Sequence, residues 1–315
     1  MAVSEDPEQQ LAWEARQRPR AGIAAILAGL LTLGGEIWTQ VIFSDAPRSL
    51  LLDSVGRALE SGPVGGTPSG RVTFFEFYDE NTVGLVGSAV ARGLGLLALA
   101  WAVTFLAAAT RARRQAFAKP AVYIVLVGAV LTAIGRVLGA VGVLPLISDF
   151  LDGPRTVDAA RDLGSNSMLL MAEFLGRLVG PLALASGLVL VALNAMRAGL
   201  LTRFLGILGM ITGALIVIPI GPLPVVQSFW LFALGALFLG YSRGGVPPAW
   251  RTGREEPWPS QKEMAEARRA QAQTKRGGGS APEPAAPDGN GNGAEPVTAG
   301  YSHPSSKKRK RKRRG

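Results

Sequence analysis

Six long apolar segments divide the chain, at 21–43, 84–108, 121–147, 167–194, 200–219 and 224–241. A hydrocarbon core about 30 Å thick is crossed by about 20 mainly apolar residues in a helix that rises about 1.5 Å per residue. Each segment therefore reads as a membrane span. Lipid offers no partner to a backbone N–H or C=O, which leaves helices and closed barrels as spanning structures. The unbroken apolar run 94–109 lacks the alternation of a barrel strand. The expected fold is all-α: a polytopic transmembrane helix bundle of six spans with a disordered C-terminal tail.

Residue usage removes several chemistries. The chain has no cysteine, and its one histidine, His303, lies far from the apolar segments. Disulfides, thiolate nucleophiles, iron–sulfur clusters and Cys-type zinc sites are excluded. Histidine-held haem pairs and Ser-His-Asp triads lack the residues they need. No cofactor, metal or enzymatic constellation is expected.

Orientation follows from Lys and Arg, which accumulate in cytoplasmic connections. Arg16, Arg18 and Arg20 precede the first segment, and Arg111, Arg113, Arg114 and Lys119 follow the second. Arg197 and Arg203 follow the fourth, and Arg243 opens the tail. Both termini are expected in the cytoplasm, with 1–20 a polar N-terminal segment, 44–83 a long outer loop and 243–315 a polar tail. The first apolar segment is too long for a signal-peptide core and is expected to stay as an anchor. Ala, Gly and Arg richness fits a bacterial inner membrane. In the outer loop, Leu51, Val55, Ala58 and Leu59 recur at helical spacing, and Phe74, Phe75, Phe77 and Tyr78 form a candidate aromatic interface belt.

Five ionisable residues fall inside the apolar segments: Glu36, Arg92, Arg136, Glu173 and Arg177. Counted from the outer ends of their spans, they share a band about 10 to 15 Å deep. A charge left unpaired in lipid costs about 3 kcal/mol on insertion scales, so each should face another charge, the bundle interior or water. Glu173 and Arg177 have the spacing of an ion pair along one helical face. Three readings remain open: a structural ion-pair layer, snorkelling of Arg92 and Arg177 to the interface, or a substrate path. Under the first the chain is a structural or accessory membrane protein. Under the last it is a small transporter, or it binds a small anionic ligand or lipid headgroup through its arginines with Glu36 or Glu173 as titrating partner. Catalysis by either carboxylate comes third, since no nucleophile accompanies it. An open cavity lined by these residues would favour binding or transport, and a dry closed core would favour structure.

Gly135 and Gly139 bracket Arg136, Gly176 and Gly180 bracket Arg177, and Gly209 with Gly213 repeats the spacing. Four-residue glycine spacing lets helix backbones approach closely and is first a packing device. Pro181 is placed to kink the fourth span. The stretch 199–213, with Arg203 before Gly206, Gly209 and Gly213, resembles a segment of six-span bacterial membrane proteins grouped as a domain of unknown function. That resemblance, over about 167–241, implies an architecture and brings no activity or catalytic residues with it.

Beyond 242 the composition turns to Pro, Gly, Ala and charge, with a short polar helix expected near 264–274 and disorder over 277–300. Eight consecutive basic residues, Lys307, Lys308, Arg309, Lys310, Arg311, Lys312, Arg313 and Arg314, account for most of the net charge of +10. Such a block fits contact with anionic lipid at about 1 kcal/mol per residue. No aromatic residue interleaves it, so specific nucleic-acid recognition is not indicated.

Overall fold

A computed structural model describes residues 7–47, 69–117, 120–163, 168–218, 220–241 and 246–257, together with Glu266 and Arg269. The helix expected around Leu51 to Leu59, the stretch 277–300 and the basic block 307–314 lie outside the described residues. The chain divides into a unit Met1–Pro259 and a unit Ser260–Gly315. In the second unit, Glu266 and Arg269 are helical and exposed.

The first unit is all-α. Its helices are α1 (Pro7–Ser44), α2 (Val72–Glu80), α3 (Thr82–Arg113), α4 (Pro120–Gly142), α5 (Leu144–Asp152), α6 (Val157–Asp162), α7 (Met168–Arg197), α8 (Arg203–Val217), α9 (Val225–Leu239) and α10 (Ala249–Thr252). Four stretches are long and apolar enough to cross a membrane: Glu8–Ser44, Thr82–Arg113, Pro120–Asp152 and Gly176–Arg197. The last two expected spans, α8 and α9, are shorter at 15 residues each, or about 22 Å of helix.

Two boundaries depart from the sequence reading. The polar segment 1–20 and the first apolar segment form one helix because a single face stays buried along it, at Gln10, Glu14, Ala21, Ala25, Ala28, Thr32 and Thr39. The third apolar segment, expected to run to 147, breaks at Gly142. Pro145 sits in the first turn of α5 and has no N–H to continue the α4 ladder. The candidate aromatic belt is itself a helix, α2. Phe74 stacks on Phe43 at 6.4 Å, and Phe75 meets Phe150 of α5 edge-on at 5.0 Å.

α1, α3, α4, α7, α8 and α9 pack each on the next, and α9 returns to α1, so the six helices close into a ring. Glycine sets how near they come. A Cβ on Gly128 would lie 2.3 Å from Leu184 N, one on Gly176 would lie 2.9 Å from Gly135 Cα, and one on Gly180 would lie 2.7 Å from Thr132 N. The two Gly-Arg-x-x-Gly copies thus lie against each other across the α4–α7 seam. Toward the end of the ring that holds Arg113, Leu99, Val103, Leu106, Leu188, Val191, Leu231 and Leu234 are fully buried and form a packed apolar core.

Backbone contact at Gly128 leaves no room to relax, and overpacking of this kind costs about 1 to 3 kcal/mol. Gly128→Ala is expected to lower the unfolding midpoint in detergent. Gly34→Ala, at a site with nothing within 4 Å, should leave it unchanged or raise it through helix propensity. Equal midpoints for the two variants would contradict the seam.

Candidate functional site

The register of the ring places the sequence-predicted charges. Gly22 faces Leu239 and Gly29 faces Phe232, so α9 begins at Val225 level with Glu36. Gly35 lies against Arg92 and Ser88, and Gly93 against Val137 and Ala133. These contacts put Glu36, Arg92 and Arg136 on one level from three helices. They line a cavity of about 700 Å³ with Gln40, Thr132, Pro181, Leu184, Leu215, Ile216 and the turn 220–227. Its floor is Leu96 and Leu184, below which the packed apolar core begins.

Inside the cavity, Arg92 Nη1 donates to Glu36 Oε2 at 2.9 Å, and Arg92 Nε donates to Ser88 O at 3.3 Å. Thr32 and Thr132 spend their hydroxyl protons on the carbonyls of Ala28 and Gly128, both at 2.6 Å. Arg136 differs. It lines the cavity with an exposed side chain and has no hydrogen bond or ion pair among the described residues. It lies within electrostatic range of Glu36, Arg92 and Arg177. Since Glu36 and Arg92 neutralise one another, the cavity carries a net single positive charge. The uncapped first turn of α9 borders it at Val225, Val226 and Gln227 and adds the positive end of a helix dipole. Outside the cavity lining, burial holds the Tyr78 phenol of α2 above its ordinary range, and the charge of Arg92 opposes that rise.

Glu173 and Arg177 form the expected i,i+4 pair at 3.1 Å but stand apart from the cavity. Glu173 rests across Gly139, and the Arg177 side chain is 72% exposed. The five-charge band therefore divides into an inward group of three and an outward pair.

A second polar centre was not anticipated. At the opposite end, Arg113 Nη2 donates to Glu14 Oε2 at 2.8 Å and Nη1 donates to Glu14 Oε1, with side chains 0% and 3% exposed. Arg113 also donates to Ala109 O at 3.0 Å and twice to Ala249 O, at 3.1 and 2.9 Å. All five guanidinium donors are thereby used. Gln10 Nε2 donates to Glu14 Oε1 at 2.9 Å. The Trp250 ring lies 5.0 Å from Arg18 Cζ and 5.4 Å from Arg113 Cζ, and its Nε1 donates to Leu200 O at 2.8 Å. Farther on, Glu256 N donates to Ala198 O at 3.2 Å. Residue 199 must be glycine, because φ is +76° and a Cβ would lie 2.0 Å from Glu256 O. Residues 246–257, read from composition as the start of a polar tail, thus seal this end of the ring. The available signal was the spacing of Gln10, Glu14 and Arg18, which continues the small-residue stripe of Ala21, Ala25 and Ala28.

Among the described residues no three His, Cys, Asp or Glu side chains come together to hold a metal. No family model matches the chain, and neither a curated protein nor a solved structure matches it.

Removing one member of a buried pair leaves the other uncompensated, at about 3 to 5 kcal/mol. Arg113→Ala should markedly lower the unfolding midpoint in detergent. Arg114→Ala, which breaks the partly exposed Arg114–Glu255 pair at 3.3 Å, should shift it little. A small loss at both positions would show that the sealed pair does not hold this end.

Proposed function

We propose that this chain is a multi-pass inner-membrane protein, with both termini cytoplasmic, that binds an anionic group in the cavity beneath its outer face. The observation behind this reading is Arg136, a cation facing an open cavity with no ion pair among the described residues, beside an Arg92 already neutralised by Glu36. A merely structural ion-pair layer would pair its charges and exclude space, as Glu14 and Arg113 do at the other end. In this reading α8 and α9 are short fifth and sixth spans, and the Glu14–Arg113 end with its cluster of basic residues faces the cytoplasm. The cavity floor is packed, so the arrangement favours a one-sided binding site over an open conduit. The likeness of 199–213 to six-span bacterial proteins belongs to the same proposal and supplies no activity.

Inorganic phosphate should raise the unfolding midpoint of the purified protein. Arg136→Gln should weaken the apparent affinity about tenfold or more, the worth of a charge-assisted hydrogen bond. A midpoint indifferent to phosphate, or a response unchanged in Arg136→Gln, would overturn the reading.

Threading is checked separately, helped by the absence of native cysteine. Single cysteines at Ser61 and Gly164 should label with an impermeant thiol reagent in intact spheroplasts. One at Ala112 should label only after lysis, and the reverse pattern would invert the topology.

A further inference from the structure

We infer that the ligand of this cavity is an anionic amphiphile, a phosphate headgroup on Arg136 whose apolar chain leaves sideways into the bilayer over the α8–α9 hairpin. The inference rests on the anion-binding reading above and adds the class of ligand. Four observations lead to it.

The hairpin is a low wall. α9 starts level with Glu36, whereas α1 runs on to Ser44, about 12 Å farther. On the other flank α8 ends at Val217, while α7 extends past Pro181 to its start at Met168. Among the described residues, α1 and α7 share no packed interface that would close the gap above the hairpin.

The wall is built for lipid. From 204 to 241 the chain has no charged residue. At its crest Ile218, Ile220 and Val225 are 69%, 83% and 56% exposed. A turn exposing such side chains is costly in water and at ease in hydrocarbon. Pro222 and Pro224 lack the N–H groups that lipid could not satisfy. The gap therefore opens toward acyl chains.

The cavity is two-faced. Arg136, Arg92, Glu36 and Gln40 stand on one side, while Ile216, Ile220, Val225 and Val226 line the way out. A small hydrated anion would use the first set and leave the second bare. An amphiphile uses both.

Finally, the charge complements a phosphate. Arg136 supplies one cation that has no ion pair among the described residues, with planar donors suited to phosphate oxygens.

The test uses the full chain in detergent, with binding read from the unfolding midpoint. Three probes are titrated: inorganic phosphate, dioctanoyl phosphatidate and uncharged dioctanoylglycerol. Phosphatidate should bind at least about tenfold more tightly than phosphate, since each buried methylene adds about fourfold. Arg136→Gln should weaken both phosphate-bearing probes. Ile218→Trp, at the exposed crest outside the cavity lining, should weaken phosphatidate while sparing phosphate. Val83→Trp, exposed and away from the cavity, should change neither. Equal affinity for phosphate and phosphatidate would overturn the amphiphile proposal and leave anion binding standing. No response to either would overturn both. Dioctanoylglycerol binding as well as phosphatidate, or phosphatidate binding that survives Arg136→Gln, would place the chain but not the headgroup and so overturn this assignment.

Discussion

A guanidinium in an apolar bundle must find a carboxylate, a set of carbonyls or water, because hydrocarbon offers it nothing. The helices of this protein answer that constraint in three ways. Arg113 is sealed, with every donor taken by Glu14, Ala109 and Ala249. Arg92 is paired with Glu36 at the wall of a cavity. Arg136 faces the same cavity with no partner among the described residues. The difference between a closed end and an open one follows largely from these three fates.

Glycine makes the contrast possible. Along α4 and α7 the backbones meet directly at Gly128, Gly135, Gly176 and Gly180, which fixes register and leaves little freedom to slide. With that seam rigid, Arg136 is held toward the interior while Arg177, one turn from Glu173, is turned outward. Two Gly-Arg-x-x-Gly copies of the same composition thereby acquire different surroundings.

The sealed end has a complementary role. Trp250 stacks near Phe105 at 5.9 Å, meets Phe238 at 5.8 Å and lies within cation–π reach of Arg18 and Arg113. Residues 246–257 consequently belong to the folded bundle. With that end closed by aromatic packing and a saturated ion pair, the space inside the ring is confined to the opposite half, where α8 and α9 stop short.

By itself, the sequence determined the all-α class. Long apolar runs dictate helices, because hydrocarbon forbids unpaired backbone groups, and the absence of cysteine means that no thiol chemistry or disulfide can be drawn from these residues. The i,i+4 spacing of Glu173 and Arg177 was enough to foresee their pair, and the four-residue glycine spacing was enough to foresee close packing. Tertiary structure alone decided the rest. Which arginine pairs with Glu36 depends on the register between α1 and α3, and the partner of Arg113 lies 99 positions away in sequence. The shortness of α8 and α9 matters only once α1 and α7 stand beside them. Linear spacing reports neighbours along one helix, whereas a cavity is made by helices that come together from distant parts of the chain.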